Sequence, residues 1–183
     1  MKTLKINKHP TSDMLINYAM GNSSEAEALI IAGHLTYCSQ CKKDVYEYEN
    51  LAGEFLYEHE KVGVSTDLYS KVLDIIDTKE QTTKPISYID FKIKSSLCEK
   101  GIRLPSFISR YLDKKHDTSS WTTALNNVRY TDLTFKDENF KGKFLEIPPG
   151  KSMPKHGHEG YEATLVLHGG YSDETGHYNK GDL

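Results

Sequence analysis

The sequence predicts an α+β protein of two domains, a small N-terminal bundle of four helices followed by a C-terminal domain of strands. Apolar residues recur at helical spacing up to residue 78, and short strand-like runs replace them beyond residue 104. The polar stretch Thr78–Pro85 separates the two patterns and is typical of a linker. We therefore expect domains at 1–78 and 104–183, joined by a linker at 79–103.

The first two helices have start signals of their own. Thr11 or Ser12 can cap a short helix with the sequence DMLINYAM, and Gly21 ends it. Ser24 is followed three residues later by Glu27, which is the capping-box pattern, and a run of apolar residues comes next. Two helices are therefore expected before residue 36.

Two further helices follow from apolar spacing. After Cys41 the apolar positions recur at intervals of three, four and seven up to about His59. A fourth apolar stripe follows a possible cap at Ser65 or Thr66 and ends near Asp77. The residues of these stripes are Val45, Tyr48, Leu51, Ala52, Phe55 and Leu56 in the third helix, and Leu68, Val72, Ile75 and Ile76 in the fourth.

The C-terminal part shows the alternation of strands and turns. Strand-like runs LTF, FLEI and ATLVL are separated by the turn sequences PPG, GHEG and SDETG. This pattern predicts an antiparallel β domain.

The charge distribution argues against a nucleic-acid binder of the zinc-finger type. Net charge is −3, and the first 100 residues contain 12 lysines, no arginine and 15 acidic residues. A duplex-binding module normally shows a basic face. The segment Asp44–Glu60 has six acidic residues and no lysine or arginine, so it is either a solvated helix face or a docking surface for a basic partner.

Nothing in the sequence predicts a membrane span or secretion. The longest apolar run of the first half is Ala28–Ile31, and the N-terminus lacks the apolar region of a signal peptide. Three cysteines, two of them in a Cys-x-x-Cys pair, fit a reducing compartment. We expect a cytoplasmic protein.

The stretch GHLTYCSQC is the first candidate site. His34, Cys38 and Cys41 share one face if the second helix continues through them, and they form a tight knuckle if it ends at Cys38. Zinc prefers four ligands, and thiolate with imidazole is its usual set. His9 is the natural fourth ligand, because antiparallel pairing of the first two helices returns the chain beside it.

Two other interpretations of the Cys-x-x-Cys pair remain. A redox pair of the thioredoxin type normally starts a helix that follows a strand, and no strand is predicted before Cys38. A buried pair without metal is also possible, since cysteine is among the most buried residue types. Zinc is favoured because a bundle this small gains little stability from its core alone.

These four residues resemble the zinc-binding anti-sigma domain. The pattern is a histidine, 24 residues, and then His-x-x-x-Cys-x-x-Cys, met here by His9, His34, Cys38 and Cys41. The resemblance covers residues 1 to about 78. It implies a domain that binds an extracytoplasmic-function sigma factor and keeps it from RNA polymerase.

A second motif lies in the C-terminal part. The pattern Gly-x5-His-x-His-x3-Glu-x6-Gly is met by Gly150, His156, His158, Glu162 and Gly169. It resembles the first signature of the cupin fold, a double-stranded β-helix, and implies a second metal site at His156, His158 and Glu162. Two imidazoles and a carboxylate suit zinc, iron, manganese or nickel.

The combination of the two motifs resembles the ChrR type of anti-sigma factor. That resemblance implies a cupin domain with a sensory or regulatory role in the response to reactive oxygen species. A cupin barrel needs roughly 100 residues or more, and its last histidine ligand follows a Gly-Asp turn, whereas here the sequence stops at Gly181–Leu183. We therefore expect an incomplete cupin with its fourth ligand missing. The alternative is a metal-dependent cupin enzyme of the dioxygenase type.

Overall fold

The computed structural model of the chain describes residues 6–79, 108, 111, 121–153 and 160–183. Within these residues, helices occupy the N-terminal half and short antiparallel strands the C-terminal half. The predicted linker at 79–103 lies outside the described residues except for Lys79, so the domain boundaries stay a prediction.

The helices lie close to their predicted positions. They are α1 Ser12–Ala19, α2 Glu25–Leu35, α3 Ser39–Glu58 and α4 Leu68–Thr78. The Thr11 side chain caps α1, and Ser24 with Glu27 forms the predicted capping box of α2. The predicted cap of α4 is wrong, because Asp67 takes the capping position and makes no side-chain capping bond.

The core of the helical part lies where α1 packs against α2 and α3. Its buried members are Leu15, Ile31, Cys38, Cys41 and Val45. Both cysteines of the candidate site thus belong to this core. The apolar stripe of α4 contributes nothing to it, since α4 has no buried residue.

The strands form two small antiparallel sheets within the described residues. Strands β1 Thr122–Thr123, β2 Arg129–Leu133 and β3 Gly142–Glu146 pair in that order. Strands β4 Gly170–Asp173 and β5 Gly176–Asn179 form a hairpin around the predicted SDETG turn. This matches the predicted order of helices followed by antiparallel strands.

Two of the three predicted strands differ from the structure. FLEI overlaps β3, but only the first residue of LTF, Leu133, lies in a strand. ATLVL at 163–167 has no regular strand structure. Its Val166 amide donates to the Asp182 carbonyl and its carbonyl accepts the Gly181 amide, so among the described residues it pairs with a turn and not with a strand.

The C-terminal part contacts the helical part at several points. The Lys136 amide donates to the Glu25 carboxylate at 2.8 Å, and the Tyr161 hydroxyl lies 3.8 Å from the Met14 sulfur. A third contact is made by the segment 179–183, named here the C-terminal turn, which lies against the residues before α1. None of the described helices is long and apolar enough to span a membrane.

Candidate metal centre

The break between α2 and α3 positions three of the candidate ligands. Helix α2 ends at Leu35, and the His34 carbonyl accepts hydrogen bonds from the Tyr37 and Cys38 amides. Cys38 then caps α3, with its sulfur accepting the Cys41 amide at 3.4 Å. The break therefore lies between His34 and Cys38, which is closer to the predicted knuckle than to a continuous helix.

The fourth candidate ligand comes from the segment before α1. His9 Nδ1 lies 3.5 Å from Cys38 Sγ and 3.3 Å from Cys41 Sγ. The donor atoms of His9, His34, Cys38 and Cys41 all lie within 4.8 Å of one another. Tetrahedral zinc with ordinary bond lengths places sulfur and nitrogen ligands about 3.6 Å apart. The four side chains that the sequence singled out are therefore close enough to hold one metal ion.

The environment of His34 is compatible with a bound cation. Its Nδ1 lies 2.7 Å from the Gly181 carbonyl oxygen, so the proton belongs on Nδ1 and Nε2 carries a lone pair. That Nε2 is buried and has no hydrogen-bond partner among the described residues. A buried acceptor without a donor is costly, and a metal ion would satisfy it.

Burial sets the protonation of the two inner ligands. Burial lowers the pKa of His34, and the charge of His9 lowers it further, while the hydrogen bond to Gly181 raises it by less than burial lowers it. The imidazole is therefore neutral and able to bind metal. Burial, followed by the hydrogen bond and charge of Cys38, raises the pKa of Cys41 to about 12. A reactive redox cysteine needs a lowered pKa, so this environment disfavours the redox interpretation.

The second predicted site is described only in part. His156 and His158 lie outside the described residues. Glu162 is exposed and lines an open pocket of about 270 Å³ together with Lys8, Tyr171 and Tyr178. The rings of Tyr171 and Tyr178 stack at 4.8 Å on the hairpin β4–β5. The assignment of a cupin metal to His156, His158 and Glu162 stays a prediction.

Sequence reasoning missed the part that the C-terminal turn plays at the first cluster. The sequence pattern assigns Gly181 and Asp182 only to the end of an incomplete cupin. In the structure Asp182 is fully buried and accepts the amides of Asn7 and Lys8, the two residues before His9. The signal that could have drawn attention to it is a Gly-Asp pair, since a buried aspartate needs backbone donors.

Comparison with known proteins places the chain in a family. A family model described as the ChrR cupin-like domain matches residues 114–183. The anti-sigma-E factor ChrR of Cereibacter sphaeroides is 30% identical over 177 residues, which are 96% of this chain and 78% of that protein. The chain belongs to the ChrR family of anti-sigma factors.

A solved structure also supports the assignment of this chain to the ChrR family. This ChrR-family chain matches the crystal structure of Rhodobacter sphaeroides SigE in complex with the anti-sigma ChrR with a TM-score of 0.73 and 28% identity, covering 97% of this chain and 85% of that one. The predicted fold class, N-terminal helices followed by a cupin-type β part, is thereby confirmed.

Proposed function

We propose that this chain is an anti-sigma factor that sequesters an extracytoplasmic-function sigma factor through its N-terminal helical part. Membership of the ChrR family supports this, since the curated relative is named an anti-sigma factor and the matching structure was solved with SigE bound. The observation on this chain that carries the proposal is the exposed apolar face of α4.

Helix α4 presents an apolar face that is exposed to solvent. Five of its apolar side chains are between 40% and 52% exposed, namely Leu68, Val72, Leu73, Ile75 and Ile76. The second half of α3 has exposed apolar side chains of its own, Leu51, Phe55 and Leu56, which are more exposed still. Large exposed apolar patches mark protein interfaces, and amphipathic helices are a common docking element. The sigma factor would cover this face.

The acidic residues of α3 add a charged surface to the helical part. Of the six acids between Asp44 and Glu60, Glu47 pairs with Lys43 at 3.6 Å on the exposed helix surface. A solvated pair of this kind contributes little to stability. We infer that the remaining charge steers a basic sigma surface toward α3 and α4 before the apolar contacts form.

The metal at the first cluster is proposed to be zinc. Two sulfur and two nitrogen donors with distances near those of a tetrahedral site support zinc over metals that prefer oxygen ligands. Bound there, zinc would hold the segment before α1, the end of α2 and the start of α3 together. It would thus fix the base from which α3 extends.

The C-terminal cupin part is proposed to act as a sensory domain for oxidative stress. The ChrR cupin-like match over 114–183 supports a regulatory cupin, and a divalent metal at His156, His158 and Glu162 would complete it. We also propose that the protein and its sigma partner work together in the cytoplasm. The relatives are regulators by name, which supports regulation over the dioxygenase alternative.

The test is binding and inhibition with purified partners. Each extracytoplasmic-function sigma factor of the same genome is mixed with the zinc-loaded chain, and complexes are measured by calorimetry and by inhibition of transcription in vitro. One sigma factor should bind at one to one and lose activity. If none binds, or if the bound sigma factor still transcribes, the proposal is overturned.

A further inference from the structure

The C-terminal turn, residues 179–183, lies directly against the metal cluster, although it belongs to the strand part of the chain. Asp182 at its centre is fully buried. Its Oδ1 accepts the amides of Asn7 at 2.7 Å and Lys8 at 3.1 Å, while its Oδ2 accepts the amide of Asn179 at 2.7 Å. One carboxylate thus joins its own turn to the residues before the first ligand.

The C-terminal turn holds the segment that leads to His9 through several backbone hydrogen bonds. Besides the two amides bound by Asp182, the Lys8 carbonyl accepts the Leu183 amide at 3.3 Å. His9 is itself exposed and lies outside any helix. These backbone bonds therefore hold the chain at His9, and the contacts of its ring with Cys38 and Cys41 add to them. Hydrogen bonds to a charged acceptor are about twice as strong as neutral ones.

The other histidine is fixed by the next residue of the same turn. The Gly181 carbonyl accepts the His34 Nδ1 proton at 2.7 Å, which orients the ring and directs Nε2 toward His9 and the cysteines. A partner of this kind on the non-ligating nitrogen sets the tautomer and the basicity of a metal ligand. Two adjacent residues therefore act on both histidines.

We propose that Gly181 and Asp182 are positioning residues of the zinc site, and that zinc binding and docking of the C-terminal part are coupled through them. The inference rests on the proposed zinc site at His9, His34, Cys38 and Cys41. Coupling of this kind is reciprocal, so zinc tightens the docking and an undocked turn weakens zinc binding by the same factor. A change in the C-terminal part thereby reaches the helical part.

A side chain at Gly181 would be both strained and crowded. Its φ of +92° lies in the left-handed region, and an added Cβ would stand 2.9 Å from Ile6 Cδ1 and 3.0 Å from Tyr37 Cβ. Lys180 lies over the Tyr37 ring at 4.7 Å on the same side. Alanine at 181 would therefore push the turn away from His34 while leaving Asp182 intact.

The experiment measures zinc affinity by chelator competition in variants of this chain. Asp182→Ala and Gly181→Ala, which undock the turn by different means, should each bind zinc about 10- to 100-fold more weakly, the usual cost of losing such a partner. Asp173→Ala is the control for the first, because the amides that its carboxylate accepts in the described part of the chain belong to its own hairpin. Gly21→Ala is the control for the second, with a φ of +73° and open space around it.

Two further readouts separate positioning from a general loss of fold. The visible spectrum of cobalt bound in place of zinc should change in Asp182→Ala and not in Asp173→Ala. Hydrogen exchange at the amides of Asn7 and Lys8 should be slow with zinc and faster after its removal. Asp182→Asn, which retains one oxygen acceptor, should fall between the wild type and Asp182→Ala in affinity.

The outcomes distinguish this inference from the zinc site itself. If the wild type binds zinc but Asp182→Ala and Gly181→Ala bind it equally tightly, the coupling is wrong and the zinc site stands. If the wild type binds no zinc, or Cys41→Ser binds it as tightly as the wild type, the site and the coupling both fall.

Discussion

The Nδ1 atom of His34 lies 2.7 Å from the carbonyl oxygen of Gly181, a residue 147 positions later in the chain. A ligand of the helical cluster thus takes its orientation from the strand part. The Asp182 bonds to Asn7 and Lys8 repeat the arrangement at the other histidine. The cluster is therefore built from three regions of the chain.

Replacing Cys41 should remove the metal and unfold much of the helical part. In Cys41→Ser a hydroxyl replaces one of the sulfur ligands, so the cluster binds zinc more weakly. Structural zinc contributes on the order of 10 kcal/mol to the folding of small domains, and that stabilisation would be lost. Elemental analysis should show that the one zinc ion bound at this cluster is lost. The helical signal in circular dichroism should decrease as well. Chelation of the wild type should give the same spectrum.

His59→Ala is the matched control for that change. His59 is exposed at the end of α3, away from the cluster. Zinc content and helicity should equal those of the wild type. A Cys41→Ser protein that keeps its zinc would show that the cluster is not the metal site.

Removing the capping box of α2 should cost stability without removing the ligands. The Ser24 hydroxyl accepts a hydrogen bond from the Glu27 amide at 3.2 Å, and the Glu27 carboxylate accepts one from the Ser24 amide at 3.0 Å. Ser24→Ala should lower the free energy of unfolding by about 1 kcal/mol, measured by urea denaturation with zinc bound. Ser23→Ala, outside the box, should cost less than half as much, and equal losses would refute the assignment.

Leu15 connects α1 to the core that contains both cysteines. It is only 3% exposed and packs in the cluster with Ile31 and Val45. Leu15→Ala should lower the free energy of unfolding by about 2–5 kcal/mol through lost burial and a cavity. The exposed Met20, one turn beyond, gives the control Met20→Ala, for which thermal and urea unfolding should hardly change. A small effect at Leu15 would mean that α1 is not part of the core.

A charge on the apolar face of α4 should weaken sigma binding and leave the free protein unchanged. Val72 is 45% exposed, so Val72→Asp removes no core contact, yet in the complex it would bury a charge. We expect affinity to fall by on the order of 30-fold or more, as at other interface hot spots. Calorimetry with the cognate sigma factor provides the measurement.

Ser70→Asp is the control for the α4 prediction. It adds the same charge on the opposite side of the helix, about 200° away at ordinary helical geometry. Binding should change less than threefold. Similar losses for the two variants would indicate a general charge effect and would argue against docking through the apolar face.

Local patterns were sufficient to predict the helices and the four-residue cluster. Capping residues and apolar spacing act over one or two turns, so Thr11, Ser24 and the stripe of α3 could be recognised without the fold. His9 could be assigned because two short antiparallel helices return the chain to its start. The break between His34 and Cys38 has no such signal, since either a helix or a knuckle would keep the ligands together.

The contacts of the C-terminal turn could not be predicted in this way. Their partners are separated by 174 and 175 positions in the sequence. The contacts use main-chain amides and a single carboxylate, which produce no periodic pattern in a sequence. ATLVL failed as a strand for a related reason. Alternating apolar residues form a strand only where a neighbouring strand pairs with them, and the partners of Val166 among the described residues are Gly181 and Asp182 in the turn.

Helix α4 has one more consequence, for the lifetime of the protein. It has 11 residues and buries none of them, and isolated helices of that length are marginal in water. In the uncomplexed regulator this segment would open often enough for a protease to cut it, whereas a bound sigma factor would protect it. Surplus regulator would then be degraded faster than the complex, which would keep the two proteins near equal numbers in the cell.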